Sequence, residues 1–161
     1  MRSNMFTGVF LTLAAIGNAY ADSTICPAVA DIEQVEDVEG YSYTAPGPNK
    51  RIWVGSNPYA EKEHLETFKF TGALYRDVSS EGNSFVMSCD YEGDEFLAFT
   101  RLTLYSFNDW KPAEKTKWIV QDKTATSATF KKTQQLQTCT SFSQKDCAFD
   151  YSSLSAAPKT E

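Results

Sequence analysis

Four cysteines behind an export-type leader constrain this chain more than any other feature. Arg2 gives a positive start, Met5–Ile16 is a largely apolar run, and Ala19-Tyr20-Ala21 fits a small-x-small cleavage site. The run is too short to hold a bilayer as a lasting anchor. Residues 1–21 are therefore expected to be a signal peptide, and residues 22–161 a secreted or periplasmic mature chain with no stable membrane anchor. Cys26, Cys89, Cys139 and Cys147 all fall in that mature part. An even count in an oxidising compartment predicts two disulfides, and four cysteines allow three pairings. The spacing favours Cys26–Cys89 with Cys139–Cys147, because the last two are separated by turn-forming Ser, Gln, Lys and Asp. Zinc needs clustered thiolates or imidazoles. With one short cysteine pair and a single histidine, His64, neither a metal nor another cofactor is expected.

Phe85–Ser106 carries the densest apolar content of the mature chain and reads as its central hairpin. Phe85, Met87, Cys89 and Tyr91 alternate with Val86, Ser88 and Asp90, the period of a strand with one buried face. Glu92–Glu95 is an acidic turn in which Gly93 is expected to take positive φ. Phe96–Tyr105 then resumes as a strand with Phe96, Ala98, Leu102 and Leu104 on one face. Leu97, Phe99 and Tyr105 lie on the other, a pattern suited to the interior of a sheet.

Shorter segments flank this hairpin. Ala28–Val38 is expected to be a strand ended by Gly40, with Asp31, Glu33, Glu36, Asp37 and Glu39 on a solvated face. Tyr41–Ala45 and Arg51–Gly55 form a second hairpin about Pro46-Gly47-Pro48-Asn49. Asn57-Pro58 can cap a one- or two-turn helix in Tyr59–Glu66. Thr67–Arg76 alternates, with Phe68, Phe70 and Leu74 opposite Lys69, Thr71 and Tyr75. Ser79–Asn83 is a turn, Ser106–Lys117 a loop, and Trp118–Val120, Ala128–Lys132 and Gln134–Cys139 are strands. Cys147-Ala148-Phe149 re-enters the sheet. The pattern predicts a mainly β, single-domain antiparallel sandwich or small barrel, with at most one short helix and two disulfides. The β-rich domain spans 22–151, and 152–161 has the composition of a flexible tail.

Charge narrows the partners. Residues 22–95 carry 15 acids against 5 bases, and residues 96–161 carry 6 against 9. An acidic half disfavours nucleic acid and anionic membrane and accommodates a basic protein. Catalytic signatures are sparse. His64 is the only histidine, so any nucleophile–histidine arrangement must use it, and its acidic neighbours suit an ordinary helix or loop residue. No Gly-x-Ser-x-Gly, His-Glu-x-x-His or phosphate loop is present. Asp90, Glu92 and Asp94, with Glu95, alternate as calcium ligands do but lack that loop's glycine and distant glutamate. They read as an acidic hairpin tip, while a glycosidase carboxylate pair stays open. Among the aromatics, Trp53 and above all Trp110, set between Asn108, Asp109, Lys111 and Pro112, are the candidates for a binding surface.

An ordered set of landmarks spans nearly the whole mature chain. It comprises Cys26-Pro27, Gly40-Tyr41 with Thr44-Ala45, Trp53-Val54-Gly55, Leu65 and Phe68 leading to Gly72-Ala73, Cys89-Asp90-Tyr91, and Cys139 with Cys147-Ala148-Phe149. In this order the chain resembles a group of small exported bacterial proteins catalogued as a domain of unknown function. Such relatives often end in Cys-Pro-Phe, where this chain has Cys-Ala-Phe. The resemblance implies export and a β-rich fold, and it brings no activity and no catalytic residues.

The expected function is that of a non-catalytic exported interaction protein presenting acidic and aromatic loops to a partner protein. One version is an inhibitor or adhesion-type factor acting on a basic partner such as a cell-wall hydrolase. A carbohydrate-binding module using Trp110 or Trp53, and a carboxylate hydrolase using Asp90, Glu92 and Asp94, are the alternatives.

Overall fold

The computed structural model describes residues 23–77, 85–123 and 134–155, with the side chains of 121–123 and 134–135 excepted. The leader, the Ser79–Asn83 turn and the strand expected at Ala128–Lys132 lie outside the described residues.

The frame is an eight-stranded antiparallel sheet. Its strands are β1 (Glu33–Glu36), β2 (Tyr41–Pro46), β3 (Ile52–Asn57), β4 (Lys69–Arg76), β5 (Val86–Glu92), β6 (Phe99–Leu104), β9 (Ile119–Lys123) and β10 (Gln134–Thr140). They lie in the order β1-β2-β3-β6-β5-β4-β10-β9, so β1 and β9 stand at opposite ends and, among the described residues, the sheet is open rather than a barrel. The hairpin expected to be central is so: β5 and β6 occupy the middle, with Met87 opposite Leu104 and Cys89 opposite Leu102.

One face carries the core. Tyr43, Trp53, Leu102, Met87, Cys89, Tyr91, Phe70, Ala73 and Tyr75 are all buried there. Cys26, Ile32, Phe107, Trp110, Cys147 and Phe149 pack on that face and complete the cluster. They come from the N-terminal segment, from two small ladders, β8 (Lys111–Pro112) with β11 (Phe149–Asp150) and β7 (Phe107–Asn108) with β12 (Ser153–Leu154), and from the turns beside those ladders. The sandwich's second layer is thus built from ladders and loops instead of a full sheet. Burying a large apolar side chain contributes about 1.5–3 kcal/mol, so this continuous row is the main source of stability.

Both disulfides form in the favoured pairing. Cys26–Cys89 fastens the N-terminal segment beneath β5, and the Tyr91 hydroxyl reinforces the dock by donating to the Pro27 carbonyl at 2.6 Å. Cys139–Cys147 ties β10 to the 3-10 turn Gln144–Cys147.

Several local expectations are corrected. In β4 the register shifts between Phe70 and Gly72, a bulge at Thr71. An extra residue reverses every later facing, so Tyr75 points into the core and Leu74 does not. Strand β6 begins at Phe99, and Phe96 is 97% exposed in the turn before it. The second face of β6 is open, since Phe99 and Val54 of the neighbouring strand are 41% and 48% exposed. Ala28–Val38 holds a 3-10 turn (Val29–Asp31) before the short β1, and its four acids and the following Glu39 are exposed as expected. The helix is a single turn, α1 (His64–Thr67), and Asn57 does not cap it. Phe149 joins the β8–β11 ladder rather than the main sheet. The expected tail remains attached through Ser155, whose amide donates to the Ser106 carbonyl.

Candidate binding surfaces

The tryptophans proposed as binding residues lie in the core. Trp53 is 1% exposed. Trp110 lies flat on Tyr75, with ring centroids 4.0 Å apart, and meets Trp118 edge-on at 4.9 Å. The exposure expected for Trp110 is therefore corrected. Asp109 adopts positive φ, and the flanking Asn108 and Lys111 sit in the β7 and β8 ladders. That tight turn folds the indole back over the sheet while its polar neighbours account for the loop-like composition.

The three carboxylates do not converge. Asp90 sits on the open sheet face directly opposite Arg101. Arg101 donates from Nε and Nη2 to its two oxygens, at 2.5 and 2.8 Å. This planar two-bond fork is the strongest geometry an ion pair adopts. Hydrogen bonding to Asp90 raises the Arg101 pKa. Glu92 is exposed at the end of β5, and Asp94, in the turn, accepts from Lys69 Nζ at 2.8 Å. Among the described residues no three His, Cys, Asp or Glu side chains form a group that could hold a metal ion.

The β5–β6 turn is instead firmly held. The Gly93 amide donates to the Ala98 carbonyl at 2.6 Å, and the Ala98 amide to the Glu95 carbonyl at 3.0 Å. Gly93 does not supply the expected positive φ. A side chain there would collide with Thr67 Oγ1 at 2.2 Å, so glycine is needed for close approach. Asn57, fully buried, donates from Nδ2 to the carbonyls of Leu97 and Phe99, both at 2.8 Å. Its Oδ1 accepts from the Tyr59 amide at 2.9 Å. His64 is buried too, and its Nδ1 accepts from the Glu61 amide at 3.0 Å. In the neutral ring that bond leaves the proton on Nε2, which lies 3.6 Å from Glu95 Oε2.

What this framework displays is an apolar point in an acidic field. Phe96 is 97% and Tyr59 63% exposed. Glu92, Asp94 and Glu95 of the turn are exposed, as are Glu61, Glu63 and Glu66 of the adjoining segment. The Gln34 side chain donates to the Glu61 carbonyl at 3.0 Å and joins that segment to β1, which carries Glu33 and Glu36. A hollow of about 490 Å³ lies between them, lined by Glu36, Tyr41, Lys62, Glu63, Leu65 and Glu66. Sequence reasoning found the acids but missed Phe96, whose apolar character matched a core strand. It also missed Asn57, for which only long-range pairing reveals the role.

A disulfide-braced, mainly β domain with an open sheet face and an acidic, aromatic-tipped end defines the class of protein. No helix among the described residues is long and apolar enough to cross a membrane, which says nothing of β-barrels. Over residues 20–150 the chain matches a family described as "Protein of unknown function (DUF3757)", and it belongs to that family. No curated protein and no solved structure matches the chain. The family description carries no evidence of catalysis.

Proposed function

We propose that the protein is an exported, non-catalytic interaction protein that binds a basic protein partner through the Phe96 turn and the carboxylates around it. The observation that carries this reading is a phenylalanine left 97% exposed on a turn pinned by bonds from Asn57 and from its own backbone. An exposed large apolar side chain on a rigid support loses little conformational freedom when a partner covers it. The surrounding acids steer a cationic surface toward it and repel anionic competitors. Two disulfides agree with folding in an oxidising compartment. Inhibition of a basic cell-wall hydrolase, or adhesion to a basic surface, are concrete forms of this role.

The test compares oxidised mature protein with Phe96→Asp and with a Glu61→Lys/Glu63→Lys/Glu66→Lys variant, in capture from envelope and external extracts. The reading expects one basic protein retained by the parent, lost with either variant, and weakened by raising salt. Retention of the same protein by all three, unchanged by salt, would refute it.

A further inference from the structure

The open face of the sheet carries a trough across β3, β6, β5, β4 and β10, which meets the acidic end only at Glu92. Arg101 divides it. On one side lies a hollow of about 480 Å³ lined by Thr71, Asp90, Glu92, Thr140 and Phe142. On the other lies a hollow of about 410 Å³ lined by Val54, Ser56, Thr103 and Tyr105. We infer that this trough binds a neutral oligosaccharide, with the Asp90–Arg101 fork as its central hydrogen-bonding element.

Three features support that ligand class. The fork is accessible, with the Arg101 and Asp90 side chains 52% and 28% exposed. It uses two of the five guanidinium N–H donors, and each carboxylate oxygen retains acceptor capacity. Fixed donors beside fixed acceptors match adjacent sugar hydroxyls, which donate and accept at once. The walls supply further hydroxyls from Ser56, Thr71 and Thr140, and a phenol from Tyr105. These side chains come from sheet strands or lie directly beside one, so little ordering is needed on binding.

The second feature is Phe142, just beyond β10 at the edge of the larger hollow and 83% exposed. It contributes nothing to the core and offers a ring to the C–H face of a sugar. The third is charge. Arg101 neutralises Asp90, and Glu92 leaves the larger hollow weakly negative. Sulfated, phosphorylated or uronic saccharides are thereby disfavoured.

The experiment is an amide NMR titration of the oxidised mature protein with cellohexaose, maltohexaose and chitohexaose. A sulfated hexasaccharide and a hexalysine peptide serve as contrasts. At least one neutral hexasaccharide should shift the amides of Thr71, Gly72, Arg101, Thr103 and Thr140 in a saturable way. Arg101→Met and Phe142→Ala should each weaken that binding tenfold or more, and Phe96→Asp should leave it unchanged. Phe142→Ala keeps the test sound if Arg101→Met does not fold, since that ring lies outside the core. Any of these results overturns the inference: no shift from any neutral hexasaccharide, unchanged affinity in the variants, or shifts of these amides by the sulfated saccharide or the peptide alone. Concentration-dependent shifts without sugar would assign the face to a second copy of the chain and overturn it equally.

Discussion

Asn57 donates both hydrogens of its side-chain amide to the two carbonyls, Leu97 and Phe99, that bracket the exit of the β5–β6 turn. The side chain is fully buried, so each bond is made away from competing water. Asn57→Ala leaves two carbonyls and the Tyr59 amide without partners. Chemical denaturation should show a loss of about 2–4 kcal/mol. Asn57→Asp should be at least as damaging, because it sets a carboxylate against two carbonyls. Both variants should weaken partner capture even where the protein stays folded.

The two disulfides differ in the chain they close. Cys26–Cys89 spans 63 residues and Cys139–Cys147 spans 8. The chain-entropy relation gives about 4 kcal/mol for the first and about 2.5 for the second. A Cys26→Ala/Cys89→Ala variant should therefore unfold at lower urea than Cys139→Ala/Cys147→Ala. The reverse order would mean that the N-terminal dock contributes less than the tie between β10 and the Gln144–Cys147 turn.

Trp110 is sandwiched between Tyr75 and the Trp118–Phe149 side of the core. Trp110→Ala should cost about 3–5 kcal/mol by loss of packing. Tryptophan emission of the native protein should be poorly quenched by iodide, since Trp53 and Trp110 are both buried.

Stability should fall on the alkaline side. Burial pushes the Tyr75 hydroxyl up to about 12 from 10.0, and burial raises Tyr91 and Tyr43 in the same direction. These groups are held neutral in the fold, so their contribution is complete below pH 10 and is lost as pH rises toward the folded values. Tyr91→Phe should flatten that decline while losing the bond to Pro27. On the acid side, Ser42 and the Val38 amide lower Asp37, and Lys117 and Ser141 lower Asp146. Their effects are present above the ordinary carboxylate pKa and fade as pH falls through the lowered values. Asp37 is exposed and Asp146 partly so, and solvent screening should keep their change much smaller.

What could be read from residue order was what depends on period two and on turn chemistry. Met87, Cys89 and Tyr91 announced a buried row, and Pro46-Gly47-Pro48-Asn49 announced the β2–β3 hairpin. The separation of 8 between Cys139 and Cys147 announced a local clip. The failures share one cause, which is that they depend on contacts distant in sequence. The bulge at Thr71 is invisible to counting, yet it exchanges Leu74 and Tyr75. Trp110 sits among polar residues and is covered only because its loop crosses the sheet. Phe96 has the composition of a strand, but the turn bonds Gly93–Ala98 and Ala98–Glu95 consume the backbone before a ladder can begin. The acids were legible as a solvated face, whereas Arg101 opposite Asp90 needed the register.

If the turn bearing Phe96 is the surface a partner covers, a photoreactive side chain there must reach that partner. A photo-crosslinking amino acid placed at position 96 of the protein in its native cells, with the exposed Glu114 position as control, makes that contact visible. One discrete adduct should form from position 96 on irradiation, diminished by added salt and absent from position 114. No adduct from position 96, or equal adducts from both positions, would contradict it.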